Sequence, residues 1–260
     1  MNSLSGLEQL YSDATIELIN SFSPSERAAL VKDKFYSIGP FVAQVGKNYE
    51  NSKYRMMFIG KATNGSWLLK IPNGEFPQSI VNFYRDVAFN LNGEDRLLHR
   101  DDEMQWVENQ AGSRIGYNPN RSQFWNVIKR TTKSLEEPQN WSSRIVWSNL
   151  YKFAPKKGNP SGKLKVKQEE YCWKILDEEI DILKPKCVIF LTSGWENKYL
   201  LHRYGTLPQK SHTSFGRGKK YGISYFTDKN ILFVLSQHPM GKPVAAHAEK
   251  LHEIVLNSLQ

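Results

Sequence analysis

The sequence contains few of the residues that build disulfide, metal or membrane proteins. Its only two cysteines, Cys172 and Cys187, do not have the spacing of a C-x-x-C motif. We therefore expect buried free thiols in a reducing compartment, and neither a disulfide framework nor a zinc site. No apolar run approaches the roughly 20 residues of a membrane helix, and no signal-peptide pattern follows Met1. These absences predict a cytoplasmic protein with no membrane partner.

The two commonest nucleotide-binding loops are also missing. Residues 60–65 form a turn bounded by two glycines, directly after the apolar run 56–59. No Gly-Lys-Ser/Thr closes this turn, and the pattern G-x-G-x-x-G is absent. Paired glycines nevertheless let backbone N–H groups approach an anionic or carbonyl ligand closely. A ligand-binding loop and a purely structural turn are both compatible with these residues.

Positive charge is a prominent feature of the composition. The chain has 35 Lys and Arg against 26 Asp and Glu, a formal charge of +9, which favours a polyanionic partner. Lysines beside the aromatics Tyr151 and Phe153 are typical of a surface that follows phosphates and stacks bases. A merely solvated basic loop is the alternative. For Lys129, Arg130 and Lys133, a solvated face is the main interpretation and contact with phosphates is the alternative. The phosphate-contact candidates are Lys152, Lys156, Lys157, Lys163, Lys219, Lys220 and Lys242.

Four predicted strands alternate with helical patterns along the chain. They cover residues 56–59, 144–150, 187–191 and 231–235, and each runs into a polar turn or loop. Strands that alternate with helices in this way predict a doubly wound α/β sheet with its loops at one edge. The run 223–227 is separated from the last strand by a short turn, which predicts a hairpin.

The regions outside these strands complete the expected domain organisation. One helical face of the first segment carries Leu4, Leu7, Tyr11, Ala14 and Leu18. Ser23-Pro24-Ser25-Glu26 has the form of a capping box and predicts a second helix through about Phe35. We expect one domain over residues 1–260, in which 1–50 are an N-terminal helical extension and 68–139 a long insertion.

The last apolar run ends in Ser236-Gln237-His238-Pro239-Met240, and a helical pattern begins near Val244. In open α/β sheets, ligands bind at the carboxyl ends of strands, where a helix N-terminus follows. His238 is therefore a candidate ligand-binding residue. The alternative is that His238 only caps or packs the turn.

Four strand ends carry polar motifs. They are Gly60-Lys61-Ala62-Thr63-Asn64-Gly65, Ser148-Asn149-Leu150-Tyr151-Lys152, Thr192-Ser193-Gly194 and Gln237-His238-Pro239-Met240. From about Met56 to the C-terminus, this order resembles the uracil-DNA glycosylase superfamily. The resemblance implies a three-layer α/β/α sandwich with a central, mostly parallel, four-stranded sheet. The second motif looks like that of the iron–sulfur branches of the family, but the chain lacks the four cysteines of such a cluster, so no cluster is expected.

The resemblance also implies roles for individual residues. Asn149 would hydrogen-bond the edge of an extruded base. His238 would donate a hydrogen bond to the base carbonyl oxygen, where negative charge develops as the glycosidic bond breaks. Met240 would enter the base stack and fill the gap left by the flipped nucleotide. Further base-binding candidates are Gly60, Ala62 and Phe76, the last as a stacking platform.

The first motif departs from the family pattern. Lys61 stands where active members commonly carry a water-orienting Asp, Glu or Gln. A charged ammonium is no general base unless its pKa falls strongly. Asn64 could position the water instead, so both Lys61 and Asn64 are catalytic candidates beside His238. Met240-Gly241 also differs from the family's His-Pro-Ser-type loop.

Three functions are compatible with these residues. The first is a monofunctional DNA glycosylase that hydrolyses the N-glycosidic bond of a damaged or modified base, without metal or cofactor. The second is a superfamily relative that binds nucleic acid without cutting it, which Lys61 favours. The third is a hydrolase of free nucleosides, for which the positive charge would be incidental. DNA is the partner expected for the first.

Overall fold

The computed structural model describes residues 4–32, 35–36, 38–63, 78–82, 84–85, 104–114 and 117–259. The α-helices in these ranges are α1 (Leu4–Asn20), α2 (Pro24–Leu30), α3 (Gln78–Asn82), α4 (Gln105–Asn109), α5 (Gln123–Leu135), α6 (Gly162–Leu183), α7 (Asn197–Tyr204) and α8 (Val244–Ser258). The strands are β1 (Val31–Lys32), β2 (Phe35–Tyr36), β3 (Ile38–Pro40), β4 (Gln44–Val45), β5 (Met56–Gly60), β6 (Ile145–Asn149), β7 (Phe153–Pro155), β8 (Cys187–Leu191), β9 (Ser211–Phe215), β10 (Tyr221–Asp228) and β11 (Ile231–Ser236). None of the described helices has the length and apolar character needed to span a membrane.

The chain forms two compact units whose segments alternate along the sequence. The sheet unit comprises Gln44–Gly60, Leu98–Ser148 and Lys184–Gln260. The helical unit comprises Met1–Ala43, Lys61–Leu97 and Asn149–Leu183. Each unit is assembled from segments that lie far apart in the sequence, a division that no linker composition indicates.

A seven-stranded mixed sheet forms the centre of the sheet unit, in the order β4–β6–β5–β8–β11–β10–β9. β8 pairs in parallel with β5 on one side and with β11 on the other. The pairs β4–β6, β9–β10 and β10–β11 are antiparallel. The mixed α/β class expected from the sequence is confirmed. The sheet has seven strands instead of the expected four, because β4, β9 and β10 extend it at its two edges.

Helices cover both faces of this sheet within the sheet unit. Phe58, Ile189 and Val234 lie side by side in the parallel registers and join one apolar cluster with residues of α5 and α8. Phe190 and Phe233 point to the opposite face, since successive strand residues alternate in direction. Their rings contact tyrosine rings of α7 at centroid separations of 5.9 and 6.5 Å. All five residues of β5 and of β8 are buried, as uninterrupted apolar runs predict.

The predicted hairpin between the last two strands is confirmed. β10 and β11 are antiparallel, with Asp228 opposite Ile231. The two turn residues between them, Lys229 and Asn230, have φ of 45° and 66°. Positive φ at both central residues is the signature of a type I′ turn, whose twist matches that of the flanking strands.

The helical unit is built around contacts between α1 and α6. The expected apolar face of α1 is confirmed, since Leu7, Tyr11, Ala14 and Leu18 are at most 1% exposed. The capping box is also present. The Ser23 N–H donates to Glu26 Oε2 at 2.9 Å, and the Glu26 N–H donates to Ser23 Oγ at 3.3 Å. The helix that follows ends at Leu30 and not near Phe35, because the short strand β1 begins at Val31.

Within the sheet unit, Gly46 packs directly against the backbone of Ser143, and a substitution at Gly46 tests this packing. A Cβ atom at this position would lie 2.3 Å from the carbonyl carbon and oxygen of Ser143. The Gly46 N–H also donates to the Ile145 carbonyl at 2.9 Å, which holds the two segments at that separation. We expect Gly46→Ala to lower the free energy of unfolding by about 1–3 kcal/mol or more, because backbone atoms must move.

Chemical denaturation measures this effect, and Gly222→Ala is the matched control. A Cβ at Gly222 would meet nothing within 4 Å. The control should therefore stay within about 0.5 kcal/mol of the wild type. An equal loss of stability in both variants would contradict the close contact at Gly46.

Candidate functional site

Three strands of the sheet unit bring their carboxyl ends to the same edge. β5, β8 and β11 are parallel neighbours, and their registers place Ile59, Phe190 and Leu235 in one row. Gly60, Thr192 and Gln237 therefore lie at one edge of the sheet. This is the edge at which open α/β sheets bind ligands.

The backbone and ring of His238 are both held in place at this edge. The His238 N–H donates to Ser193 Oγ at 2.7 Å. The Met240 N–H donates to His238 Nδ1 at 3.3 Å, and the imidazole stacks on Phe124 with a centroid separation of 6.1 Å. Because Nδ1 accepts, the neutral ring carries its proton on Nε2. His238 is partly buried, and the contacts of its backbone and ring fix the direction in which Nε2 donates.

The loop that follows His238 is tied to the first turn of α5. Gln123 Oε1 accepts from the Gly241 N–H at 2.5 Å, and Gln123 Nε2 donates to the Lys242 carbonyl at 3.4 Å. Met240 is left 73% exposed at the tip of this loop. The Lys242 ammonium donates to the Met240 carbonyl at 3.2 Å. The loop thus presents an apolar side chain and a cation together at the surface.

The loop after β8 supports His238 through a strained residue. Ser193 has a φ of 56°, and its N–H donates to the Ser236 carbonyl at 3.1 Å. A left-handed serine is uncommon and persists where surrounding contacts determine it. Here the conformation lets one residue hold the end of β11 through its N–H and the His238 backbone through its hydroxyl.

Glu196 follows in the same loop and is 3% exposed. Its carboxylate accepts a hydrogen bond from Thr192 Oγ1. Burial raises the pKa of this carboxyl above its usual value, against the opposing effect of the Thr192 hydrogen bond. A buried carboxyl with a raised pKa at a strand end is a candidate acid or base.

A second histidine is buried in the sheet unit. The His247 Nε2 atom lies 2.7 Å from Ser236 Oγ, and its ring stacks on Phe215 at 4.2 Å. His247 Nδ1 has no hydrogen-bond partner among the described residues. Burial, reinforced by the charges of Lys242 and His238, lowers the pKa of His247 to about 3. His247 is therefore neutral at physiological pH and packs under Ser236.

This shift predicts a pH dependence of stability. Unfolded His247 takes up a proton near its ordinary pKa of 6.5 but folded His247 does so only near about 3. Between these values the unfolded chain binds more protons, so the free energy of unfolding falls as the pH falls, by up to about 1.4 kcal/mol per pH unit. We expect His247→Phe, which keeps a ring on Phe215, to remove this part of the slope.

Denaturation curves at several pH values between 3 and 7 measure the slope in both proteins. His212→Phe, at an exposed histidine of β9, is the control and should retain the wild-type slope. An unchanged slope in His247→Phe would show that His247 is not the group responsible.

In the helical unit, Asn149 is the first residue of the third segment and 1% exposed. Its Nδ2 atom is buried and has no hydrogen-bond partner among the described residues. Thr63 Oγ1 is buried without such a partner as well. The Tyr151 N–H donates to the Lys61 carbonyl at 3.0 Å and so joins the two loops that carry these atoms. An unsatisfied buried amide is costly, by about 1–3 kcal/mol, which a ligand oxygen would recover.

The remaining residues of the first motif are only partly described. Gly60 is buried at the end of β5, and Lys61 and Ala62 are partly buried. Asn64 and Phe76 lie outside the described residues. Their expected roles in water positioning and base stacking therefore stay predictions.

Lys152 is not a surface residue, and its expected contact with phosphates is wrong. Its side chain is 0% exposed, and Nζ lies 2.6 Å from Glu179 Oε2, which is equally buried. Glu179 Oε1 accepts a further hydrogen bond from the Tyr11 hydroxyl at 2.6 Å. Burial and the Glu179 charge raise the pKa of Tyr11 well above its usual value. The sequence places Lys152 among loop lysines, but the chain turns it into the interior of the helical unit.

Breaking this buried pair should destabilise the fold. We expect Lys152→Met to lower the free energy of unfolding by about 3–5 kcal/mol, because Glu179 is left as an uncompensated buried charge. The double variant Lys152→Met/Glu179→Leu should recover part of that loss, since neither charge is then buried. Chemical denaturation of the three proteins measures the effect. A stable Lys152→Met protein with weakened oligonucleotide binding would instead restore the surface role.

The other lysine candidates lie on the surface. Lys156, Lys157, Lys219 and Lys220 are exposed, and Lys242 is partly buried. Lys163 is exposed as well but forms an ion pair with Glu26 inside the helical unit. Its availability to a phosphate therefore depends on breaking that pair, which is a weak surface interaction.

Four residues around His238 were not identified from the sequence as part of the site: Gln123, Phe124, Ser193 and Glu196. Thr192-Ser193-Gly194 is a predicted strand end, so Ser193 has a local signal, whereas Glu196 lies two residues beyond this motif. Gln123 and Phe124 have none, because their contacts with the His238 loop join positions more than a hundred residues apart.

Among the described residues, no group of three or more His, Cys, Asp or Glu could hold a metal ion. Cys172 and Cys187 are both buried free thiols. No protein-family model matches the chain, and no match was found among the curated proteins. The functional argument therefore depends on the residues and their geometry.

Proposed function

We propose that this protein is a DNA glycosylase that hydrolyses the N-glycosidic bond of a damaged or modified base flipped out of DNA. The observation that carries the proposal is the Asn149 amide, whose Nδ2 is buried and without a hydrogen-bond partner among the described residues. An amide offers both a donor and an acceptor to the edge of a base. A bound base carbonyl would satisfy the donor that the protein leaves unsatisfied.

His238 supports the proposal through its proton. Hydrolysis breaks the bond between the anomeric carbon and the base nitrogen, water forms the new carbon–oxygen bond, and the electron pair leaves with the base. Negative charge then develops on a base carbonyl oxygen, where a preorganised donor is most effective. Because His238 Nδ1 accepts from the Met240 N–H, the neutral ring carries its proton on Nε2, and we assign the donation to this oxygen to that atom. Lys61 and Asn64 are the candidates that orient the water.

The strand arrangement and the surface charge also favour this function. The four strands whose ends carry the motifs are neighbours in the order β6–β5–β8–β11. We take them as the core of a three-layer fold of the uracil-DNA glycosylase type. Exposed Met240 would enter the base stack, and the exposed lysines would contact phosphates. The two buried free thiols fit a reducing compartment such as the cytoplasm.

Lys61 favours a second function, which is binding of nucleic acid without excision. It occupies the position directly after Gly60 where a water-orienting carboxylate or amide would be expected. If no other group positions the water, the same base-binding residues would recognise a nucleotide and leave it intact.

Excision assays on oligonucleotides test the proposal. Each oligonucleotide carries uracil, hypoxanthine or another altered base, and alkali converts an excised site into a strand break. We expect His238→Ala to lower the excision rate about 10²–10³-fold, the usual effect of losing one such donor. Asn149→Asp, which keeps the shape of the side chain but removes the donor, should also lower the rate. His212→Ala, at an exposed histidine of the same unit as His238, should leave it unchanged.

The negative outcomes separate the two functions. Absence of excision on every substrate, beside an active control enzyme, rejects the glycosylase. Salt-dependent binding of the same oligonucleotides in that case supports the binding function. If His238→Ala and Asn149→Asp both excise the base at the wild-type rate, the reaction uses other residues.

A further inference from the structure

A basic groove runs between α5 and α8 in the sheet unit. It is an open cavity of about 610 Å³. The residues that line it are Asn126, Lys129, Arg130, Lys133, Ser134, Ala245, Ala248, Glu249 and His252. Three of these side chains are permanent cations and one is a carboxylate, so the groove carries net positive charge.

The cations of the groove have no counter-ion in the part of the chain that the structure describes. Lys129, Arg130 and Lys133 form no ion pair with any described residue, and Glu249 forms none with them. Lys129 and Lys133 are four residues apart on α5 and therefore lie on the same face of the helix. Like charges at this spacing repel each other and destabilise a helix. A bound anion would relieve this repulsion.

Both helices that border the groove begin at the loop that carries His238. The first turn of α5 contacts that loop through Gln123 and Phe124, and α8 starts directly after it at Val244. The lining residues extend from Asn126 to Ser134 along α5, a length of about 12 Å at 1.5 Å per residue. A strand that meets the exposed Met240 and Lys242 can therefore continue into the groove.

The lining suits a sugar–phosphate backbone. The short side chains of Ala245 and Ala248 line the α8 side, while Asn126 and Ser134 place polar groups before and after the three cations along α5. His252 Nδ1 lies 2.9 Å from Ser134 Oγ. A smaller hollow of about 190 Å³ on the other side shares Asn126, Lys129 and Lys133, so these two lysines stand on a ridge between two depressions.

We propose that the groove between α5 and α8 binds the phosphate backbone of a polynucleotide strand that continues away from the His238 loop, with Lys129, Arg130 and Lys133 as the phosphate-contacting residues. This inference rests on nucleic acid as the ligand of the proposed function. It does not depend on base excision, and the excision assay therefore fails or succeeds separately from it.

The test compares two triple variants with the same loss of charge. The groove variant is Lys129→Gln/Arg130→Gln/Lys133→Gln. The control variant is Lys184→Asn/Lys186→Gln/Lys229→Asn. Its three lysines precede β8 and β11, at the sheet edge opposite His238, and Asn is used where φ is positive, at 47° for Lys184 and 45° for Lys229. Thermal melting establishes that both variants fold.

The measurement is fluorescence anisotropy with labelled single-stranded and duplex oligonucleotides over a series of salt concentrations. We expect the groove variant to bind at least about tenfold more weakly at low salt. The slope of log K against log salt should fall by roughly 0.7–0.9 for each phosphate that the variant no longer neutralises. The control variant should retain the wild-type slope.

Three results would overturn the proposal. They are an unchanged slope in the groove variant, an equal fall in both variants, and competition by poly-glutamate as strong as that by an oligonucleotide of equal charge. The last would identify an acidic protein segment as the ligand. Excision by a groove variant with an unchanged slope would reject the groove and leave the glycosylase standing. A changed slope in the groove variant, together with no excision by the wild-type protein, would support the groove and reject the glycosylase.

Discussion

β8 is hydrogen-bonded in parallel to β5 on one side and to β11 on the other, and the arrangement of the His238 edge follows from this pairing. Parallel neighbours end at the same edge, so Gly60, Leu191 and Ser236 are brought to one edge although they are far apart in sequence. The pairing itself is stabilised by burial of both faces of the central strands. Helices α5 and α8 cover one face, and α7 contacts the other.

The His238 loop shows how contacts between distant segments fix the position of one side chain at this edge. Its backbone is held by Ser193 and by Gln123, and its ring rests on Phe124. These contacts determine the ring orientation and the tautomer before any ligand arrives. Preorganisation of this kind reduces the reorganisation that a developing charge requires. The buried neutral His247 adds support through Ser236 and contributes no charge of its own.

Buried polar groups of the helical unit fall into two classes. Lys152, Glu179 and Tyr11 satisfy one another and have a structural role, since charge in the interior requires a charged or hydrogen-bonded partner. Asn149 Nδ2, Thr63 Oγ1 and Ser12 Oγ are buried without such a partner among the described residues. A protein gains nothing in stability from unsatisfied groups of this kind. Asn149 and Thr63 each lie two residues from the hydrogen bond that joins Tyr151 to Lys61, and this pair is therefore the clearest indication of a ligand site in this unit.

Local patterns in the sequence were enough to predict several elements. The apolar face of α1, the Ser23–Glu26 capping box and the hairpin at Lys229-Asn230 depend on contacts between near neighbours, and each was predicted correctly. The strands β5, β8 and β11 are predicted because buried strands are continuously apolar. β6 is predicted from its apolar first residues, Ile145-Val146-Trp147, which precede the polar pair Ser148-Asn149. The edge strands β4 and β9 were missed, since a two-residue strand and the polar strand Ser211–Phe215 carry little pattern.

Only the tertiary structure shows which residues become partners when they are distant along the chain. Lys152 looked like one more lysine of a basic loop, and the decisive fact was its buried partner, Glu179. Phe124 looked like an ordinary core residue of a helix until its contact with His238 was visible. By itself, the sequence determined which segments are strands or helices and which polar motifs end them, because those properties are local. The partner, burial and proton of each polar group were decided by the fold, because they depend on long-range contacts that no local pattern encodes.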